Sequence, residues 1–153
     1  MKFYSVKTCL IEVPDHISLG FTILGCPIHC PDCHSKWTWD KDQGESFDFS
    51  DENLDYLLNP YISCLLFFGG EWEPDFEETI KRLKDRYRLS LALYTGLELE
   101  EAQAKPWFKL LDYIKVGPYI KELGGLRERT TNQSLYLLNN GVIVERKNMC
   151  YKW

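Results

Sequence analysis

Near the start of the chain, apolar and polar positions alternate in strand rhythm. Residues 3–13, FYSVKTCLIEV, alternate loosely and predict a first strand. Over 18–25, Leu19, Phe21 and Ile23 interleave with Ser18, Gly20 and Thr22, which predicts a strand with one bulky and one small face. Ser50 and Asp51 read as the start of a helix over 51–59, with Leu54, Leu57 and Leu58 on one side. SCLLFF at 63–68 is an unbroken apolar run, the pattern of a strand covered on both faces in a parallel sheet, and it leads straight into Gly69-Gly70-Glu71. Phe76, Ile80, Leu83 and Tyr87 recur at helical spacing and predict a helix over 74–87. Acids lie in its first turn, and Lys84, Arg86 and Arg88 near its end, as the helix dipole favours. Residues 89–94 alternate as a strand closed by Thr95-Gly96. Residues 98–111 predict short helical pieces broken at Pro106, and 112–116 a further strand stopped by Gly117-Pro118. In the tail, 135–138 and 142–145 flank Asn140-Gly141, the signal of a type I′ hairpin.

The order strand, loop, helix, strand, helix, strand, helix, strand predicts an α/β protein built on a parallel sheet, with a C-terminal β-hairpin. We find no internal repeat, no low-complexity stretch and no linker rich in Gly, Pro or Ser, so residues 1–153 read as a single domain. Apolar residues at 44% and charged residues at 27% are ordinary globular values. A formal charge of −5, from 18 Lys and Arg against 23 Asp and Glu, argues against a nucleic-acid-binding surface, which is normally basic. No apolar run approaches membrane-spanning length, and the first residues lack a signal-peptide core. The expectation is therefore a cytoplasmic protein with no membrane partner.

The six cysteines change the picture. Cys9, Cys64 and Cys150 are scattered, whereas Cys26, Cys30 and Cys33 fall within eight residues, in Gly25-Cys26-Pro27-Ile28-His29-Cys30-Pro31-Asp32-Cys33-His34, directly after the second strand. A clustered triplet without an export signal reads as metal or redox chemistry rather than a disulfide framework. The spacing C-x3-C-x2-C lets three thiolates reach one compact centre. A cubane [4Fe–4S] cluster usually takes four cysteines; three local thiolates would leave one iron open to a substrate. Other readings stay open on the residues alone. Cys30 to His34 matches the c-type haem pattern C-x-x-C-H, Cys30 and Cys33 match a thioredoxin-like dithiol, and the triplet with His29 or His34 matches a structural zinc site.

The triplet after the strand, together with Trp39, Gly69-Gly70-Glu71, Thr95-Gly96, Gly117-Pro118-Tyr119 and Thr131-Asn132-Gln133, resembles the radical S-adenosylmethionine (radical SAM) superfamily. Within it, the short chain is similar to the activating proteins of anaerobic ribonucleoside-triphosphate reductases. The resemblance runs from the second strand almost to the hairpin. It implies a partial (βα) barrel with the cluster loop at the C-terminal end of that strand. It also implies a [4Fe–4S] cluster on Cys26, Cys30 and Cys33, S-adenosyl-L-methionine as second cofactor, and a low-potential electron donor such as flavodoxin or ferredoxin. The implied partner is the reductase, a glycyl radical enzyme. The implied activity is reductive cleavage of S-adenosylmethionine to a 5′-deoxyadenosyl radical that generates a glycyl radical on that partner.

The same resemblance implies that Asp32, Cys33, His34, Gly69, Gly70, Glu71, Thr95 and Lys115 contact the cofactor. Gly69-Gly70 would give close backbone approach to the methionine amino group, with Glu71 helping to position it. Asp32 would act through its backbone against the adenine, and Lys115 would meet a carboxylate. Three positions depart from the family pattern: Pro14 to Ser18 where many members carry Asp-Gly-Pro-Gly, Asp32 where an aromatic or Gly is common, and Trp72 where Pro is usual. Trp37 and Trp39 read as packing over the cluster loop or, with the rest of residues 34–50, as part of a docking surface for the partner, Cys9 and Cys64 as small buried residues, and Cys150 as a weak candidate for a second site. Asn132 and Gln133 read equally as a cap on the sheet edge or a contact with the partner. Two alternatives to the activase remain: a radical SAM protein with another substrate, and a zinc-binding module without turnover.

Overall fold

The computed structural model describes residues 1–150. One eight-stranded sheet organises it: β1 (Lys2–Cys9), β2 (Ser18–Ile23), β3 (Glu45–Ser46), β4 (Cys64–Phe68), β5 (Ser90–Tyr94), β6 (Tyr113–Val116), β7 (Ser134–Asn139) and β8 (Val142–Lys147). Their order in the sheet is β3-β1-β2-β4-β5-β6-β7-β8. The central run β2-β4-β5-β6 is parallel throughout, and β1, β7 and β8 join antiparallel. Helices α1 (Asp51–Leu57), α2 (Phe76–Arg86) and α3 (Leu99–Gln103) lie in the connections between β2 and β6, with a 3-10 turn at Pro106–Leu110. The first strand is shorter than its alternation predicts, since residues 10–13 leave the sheet in a bend. The long 34–50 loop holds the unforeseen two-residue β3. Asn140, at φ 48°, and Gly141, at φ 80°, turn the predicted hairpin.

Period-2 alternation sorts the strand side chains into two apolar layers. Leu19, Phe21, Ile23, Leu65, Phe67, Leu91, Leu93, Ile114 and Val116 face the helices and pack with Leu54, Phe76, Ile80 and Leu83. The opposite face carries Cys64, Leu66, Ala92, Tyr113 and Leu135, packed with Val13 and Met149. The small face of β2 belongs to this second side: a Cβ on Gly20 would lie 2.7 Å from Cys9 Sγ and 3.0 Å from the Phe68 ring. Both faces of the parallel run are thus buried, which is why SCLLFF has no polar alternation.

The helices are held by local chemistry. Ser50 Oγ accepts the N–H of Asn53 to cap α1. Arg82 and Arg86 of α2 pair with Asp51 of α1 at 2.9 and 3.2 Å. Glu98 and Glu101 form a reciprocal capping box at α3. The consequence for function lies at the other end of the strands: β2, β4, β5 and β6 all deliver their C-terminal ends to one edge of the sheet.

Candidate functional site

The chain leaves β2 through Leu24 and turns at Gly25, φ 88°, into the cysteine loop. A 3-10 turn at Lys36–Trp39 backs this loop. The Thr38 carbonyl accepts the N–H groups of both Gly25 (2.7 Å) and Cys26 (3.2 Å), and Cys33 N–H donates to the Cys30 carbonyl at 3.0 Å. The sulfurs themselves attract main-chain donors. Ser35 N–H lies 3.3 Å from Cys33 Sγ, and the N–H groups of Ile28 and His29 point at Cys26 Sγ. Burial nevertheless pushes the Cys26 thiol up, and the Glu71 and Cys30 charges add to this. Aromatic contacts anchor the loop's flanks: His29 stacks on Trp39 at 4.4 Å, and His34 meets the Tyr119 ring edge-on at 4.5 Å.

Cys26, Cys30 and Cys33 all line one cavity of about 500 Å³, together with Gly69, Thr95, Gly96 and Lys115 from the ends of the parallel strands. At the end of β4, Gly69 and Gly70 take φ of 77° and 107°, a region that side-chain-bearing residues avoid. A Cβ on Gly69 would lie 2.2 Å from the Trp72 ring. Glu71 follows and turns inward. One of its oxygens accepts from Thr95 Oγ1, whereas Oε2 is buried without a partner. Burial raises the carboxyl's pKa, against the lowering pull of Thr95 and Lys115. Lys115 is also buried, 8% exposed, and its Nζ donates to the carbonyls of Thr95 (3.2 Å) and Gly117 (2.9 Å). Burial brings its pKa down to about 8, opposed by the charges of Cys30, Glu71 and Cys33.

Cys33, Gly69, Thr95 and Lys115 therefore meet at one cavity with the other two cysteines. Asp32 and His34 are exposed and outside its wall, and Gly70 packs behind it against Ile23. Glu71 stands in the second row, hydrogen-bonded to Thr95. Cys9 and Cys64 are buried in the second apolar layer. Cys150 lines a separate cavity beside Arg129 and Arg146; Tyr151 and Trp153 lie outside the described residues. The roles of Asn132 and Gln133 become local and physical: Asn132 Nδ2 donates to the Pro118 carbonyl at 2.9 Å and Gln133 Nε2 to the Gly117 carbonyl at 3.3 Å. They pin the turn that carries Tyr119 into the cavity wall. Sequence reasoning missed Tyr4, Ser5 and Lys7 of β1 and Thr22 of β2, which also line the cavity. Thr22 sits on the small face visible in the β2 pattern; β1 carries no such signal.

Among the described residues no three His, Cys, Asp or Glu side chains are gathered to hold a single metal ion. A cubane asks for less convergence, because each thiolate takes a different iron. The donor set suits such a group: three thiols on one loop, main-chain N–H groups already directed at two of the sulfurs, and a buried ammonium within electrostatic reach of two. The family described as 4Fe-4S single cluster domain matches residues 18–137. No curated protein and no solved structure matches the chain. No helix among the described residues is long and apolar enough to cross a membrane.

Proposed function

The chain belongs to the 4Fe-4S single cluster domain family, and from that premise we propose that it is a radical SAM activase that generates a glycyl radical on an anaerobic ribonucleoside-triphosphate reductase. One observation carries the reading. Three thiols of a C-x3-C-x2-C loop share a cavity with Gly69, Thr95 and Lys115 at the C-terminal ends of parallel strands, where open and barrel-shaped α/β sheets place their chemistry. In this reading the sheet is the partial (βα) barrel implied by the resemblance, and the parallel run β2-β4-β5-β6 supports it.

When bound, the [4Fe–4S] cluster and S-adenosylmethionine together supply a 5′-deoxyadenosyl radical, the hard part of the chemistry. The chain's own residues do the rest. Cys26, Cys30 and Cys33 hold the cluster as thiolates. The partnerless Glu71 Oε2 needs a donor, and the ammonium of an amino-acid ligand is one. Thr95 fixes the other carboxylate oxygen of Glu71. Lys115 offers a cation to a ligand carboxylate at the same place. Phe68, Tyr94 and Tyr119 line the cavity as bulky aromatics and displace water from around a reactive radical. In this reading a glycine-bearing segment of a protein partner enters the cavity and supplies the hydrogen atom. A flavodoxin or ferredoxin is the electron donor in this scheme.

The test is anaerobic reconstitution with iron and sulfide, then reduction with S-adenosylmethionine and the reductase. Expected are about four irons per chain, 5′-deoxyadenosine, and a glycyl doublet in the electron paramagnetic resonance spectrum. Cleavage without that doublet retires the activase and leaves radical SAM chemistry on another substrate. One zinc per chain and no cleavage retires both.

A further inference from the structure

A strand at the edge of a sheet offers a row of main-chain N–H and C=O groups to whatever lies beside it. β1 is such a strand over most of its length. On one side it pairs antiparallel with β2 from Phe3 to Cys9. On the other side β3 covers only Lys2 and Phe3, through Ser46 and Glu45. From Tyr4 to Cys9 no described strand lies on that side, and no main-chain hydrogen bond from a loop or turn reaches these residues. The one irregularity of β1 falls between Phe3 and Ser5, so the edge is regular from Ser5 onward. At strand rise Tyr4 to Thr8 spans about 17 Å, an ordinary strand length. This edge borders the cysteine cavity. β1 runs antiparallel to β2, so its Tyr4 end lies beside the end of β2 from which the cysteine loop departs. Tyr4, Ser5 and Lys7 line the cavity itself. β3 blocks the edge at Phe3, so a chain running along β1 toward Tyr4 has to leave the edge at the cavity mouth. Charge adds a direction. β1 carries Lys2 and Lys7 and no acid, in a chain of net charge −5. Lys7 Nζ lies 5.9 Å over the Phe68 ring and pairs with no carboxylate among the described residues.

We propose that the open edge of β1 from Tyr4 to Thr8 receives an extended segment of the protein partner as an added β-strand, with an acidic side chain of that segment against Lys7. The proposal rests on the glycyl-radical reading of the cavity and says how the partner's segment is held there. Main-chain pairing suits the task. It fixes an extended segment by its backbone and leaves specificity to alternate side chains, and a glycine contributes no side chain of its own. The added strand leaves the edge at Tyr4 and carries the next residues into the cavity. Lys7, on the cavity side of the edge, favours an acidic segment and repels a basic one.

The experiment uses the intact chain, reconstituted anaerobically with iron and sulfide and mixed with S-adenosylmethionine and the purified reductase. Amide hydrogen exchange is read residue by residue over β1, beside the glycyl doublet. With the reductase present, exchange should slow at least about tenfold at alternate positions from Ser5 to Thr8, because the amides between them already bond β2. Lys7→Glu should raise the KM for the reductase about tenfold, and Lys7→Arg should keep the wild-type KM. A glycyl doublet with β1 exchange unchanged overturns the proposal and leaves the activase standing. Even slowing across β1 and the cysteine loop means cover without strand pairing and also overturns it. So does slowing of β1 in the chain alone as its concentration rises, which assigns the edge to a second copy. An unchanged KM in Lys7→Glu overturns the acidic contact. A reductase that neither slows exchange nor gains the doublet retires the activase reading, and this proposal with it.

Discussion

The indole N–H of Trp72 donates to the carbonyl of Leu24 at 3.1 Å, joining the turn after β4 to the residue that leads into the cysteine loop. The same ring occupies the space that a side chain on Gly69 would take. Trp72 is therefore a clamp between the strand end and the loop. Trp72→Phe should keep the ring over Gly69, lose the hydrogen bond, and cost about 1 kcal/mol. Trp72→Ala should cost about 3 kcal/mol, at the low end for a tryptophan because this one is only half-buried. Urea denaturation of the two variants checks the order; equal losses would mean that the ring alone carries the contact.

Iron content divides the cysteines. Cys26→Ala, Cys30→Ala and Cys33→Ala should each lose the reconstituted cluster, since each removes one of three anchors on the same cavity. Cys9→Ala, Cys64→Ala and Cys150→Ala should keep it. The two buried ones, at 3% and 0% exposure, should cost about 1–2 kcal/mol each through lost packing. Cluster loss in Cys150→Ala with retention in Cys26→Ala would reverse the assignment.

Cys64 also predicts a pH dependence. Burial pushes its thiol from 9.0 up to about 12. Between those values the unfolded chain has released the proton and the folded chain still holds it. The folded state then binds more protons, so stability falls as pH rises. The contribution is fully present below pH 9 and is lost as the pH climbs toward 12, with a slope of at most about 1.4 kcal/mol per pH unit. Chemical denaturation between pH 8 and 11 should show a steeper decline in the wild type than in Cys64→Ala. Parallel curves would assign the alkaline loss to other groups.

Much of this frame is legible in the chain because period-2 patterns are local. The bulky and small faces of β2, the two-sided burial of SCLLFF and the Asn140-Gly141 turn all appear where the residues place them. So does the cysteine triplet, since three ligands within eight residues need no long-range information. What could not be read is tertiary. The lining of the cavity by Tyr4, Ser5 and Lys7 depends on an irregular register of β1 on β2 between Phe3 and Ser5, which leaves no trace in composition. The exposure of Asp32 and His34 is a matter of loop direction, which spacing does not set. Pinning of the Gly117–Tyr119 turn by Asn132 and Gln133 needs β7 to lie beside β6.

Gly70 separates stability from ligand binding. At φ 107°, with a Cβ position 3.1 Å from Ile23 Cγ1, it tolerates a side chain poorly. Gly70→Ala should destabilise by about 1–2 kcal/mol, and Gly70→Val by more. The cysteines lie on another segment, so iron content should hold. Formation of 5′-deoxyadenosine with dithionite should fall, because the Gly69-Gly70 backbone can no longer present the same edge to a ligand. Full turnover in Gly70→Val would move the ligand away from the end of β4.

The mouth of the cavity supplies the last expectation. Trp37 and Tyr4 meet there with ring centroids 4.3 Å apart, yet remain 42% and 55% exposed. Trp37 comes from the turn after the cysteine loop and Tyr4 from β1, so the pair bridges two separate segments at the rim. Large aromatics left half in water beside a site are the residue type that anchors protein partners, where truncation commonly costs more than about 1 kcal/mol of binding. If a glycine-bearing segment enters this cavity, its flanks must pass this pair. Trp37→Ala should therefore raise the KM for the partner reductase about tenfold, equivalent to about 1.4 kcal/mol. Uncoupled cleavage of S-adenosylmethionine by the reduced protein alone should change far less, because Trp37 supplies none of the ligand contacts assigned to Glu71 and Lys115. The measurement is the rate of glycyl-radical formation as a function of partner concentration, beside 5′-deoxyadenosine release without partner. Equal losses in both would place Trp37 in the cleavage machinery, and no loss in either would put the docking surface elsewhere.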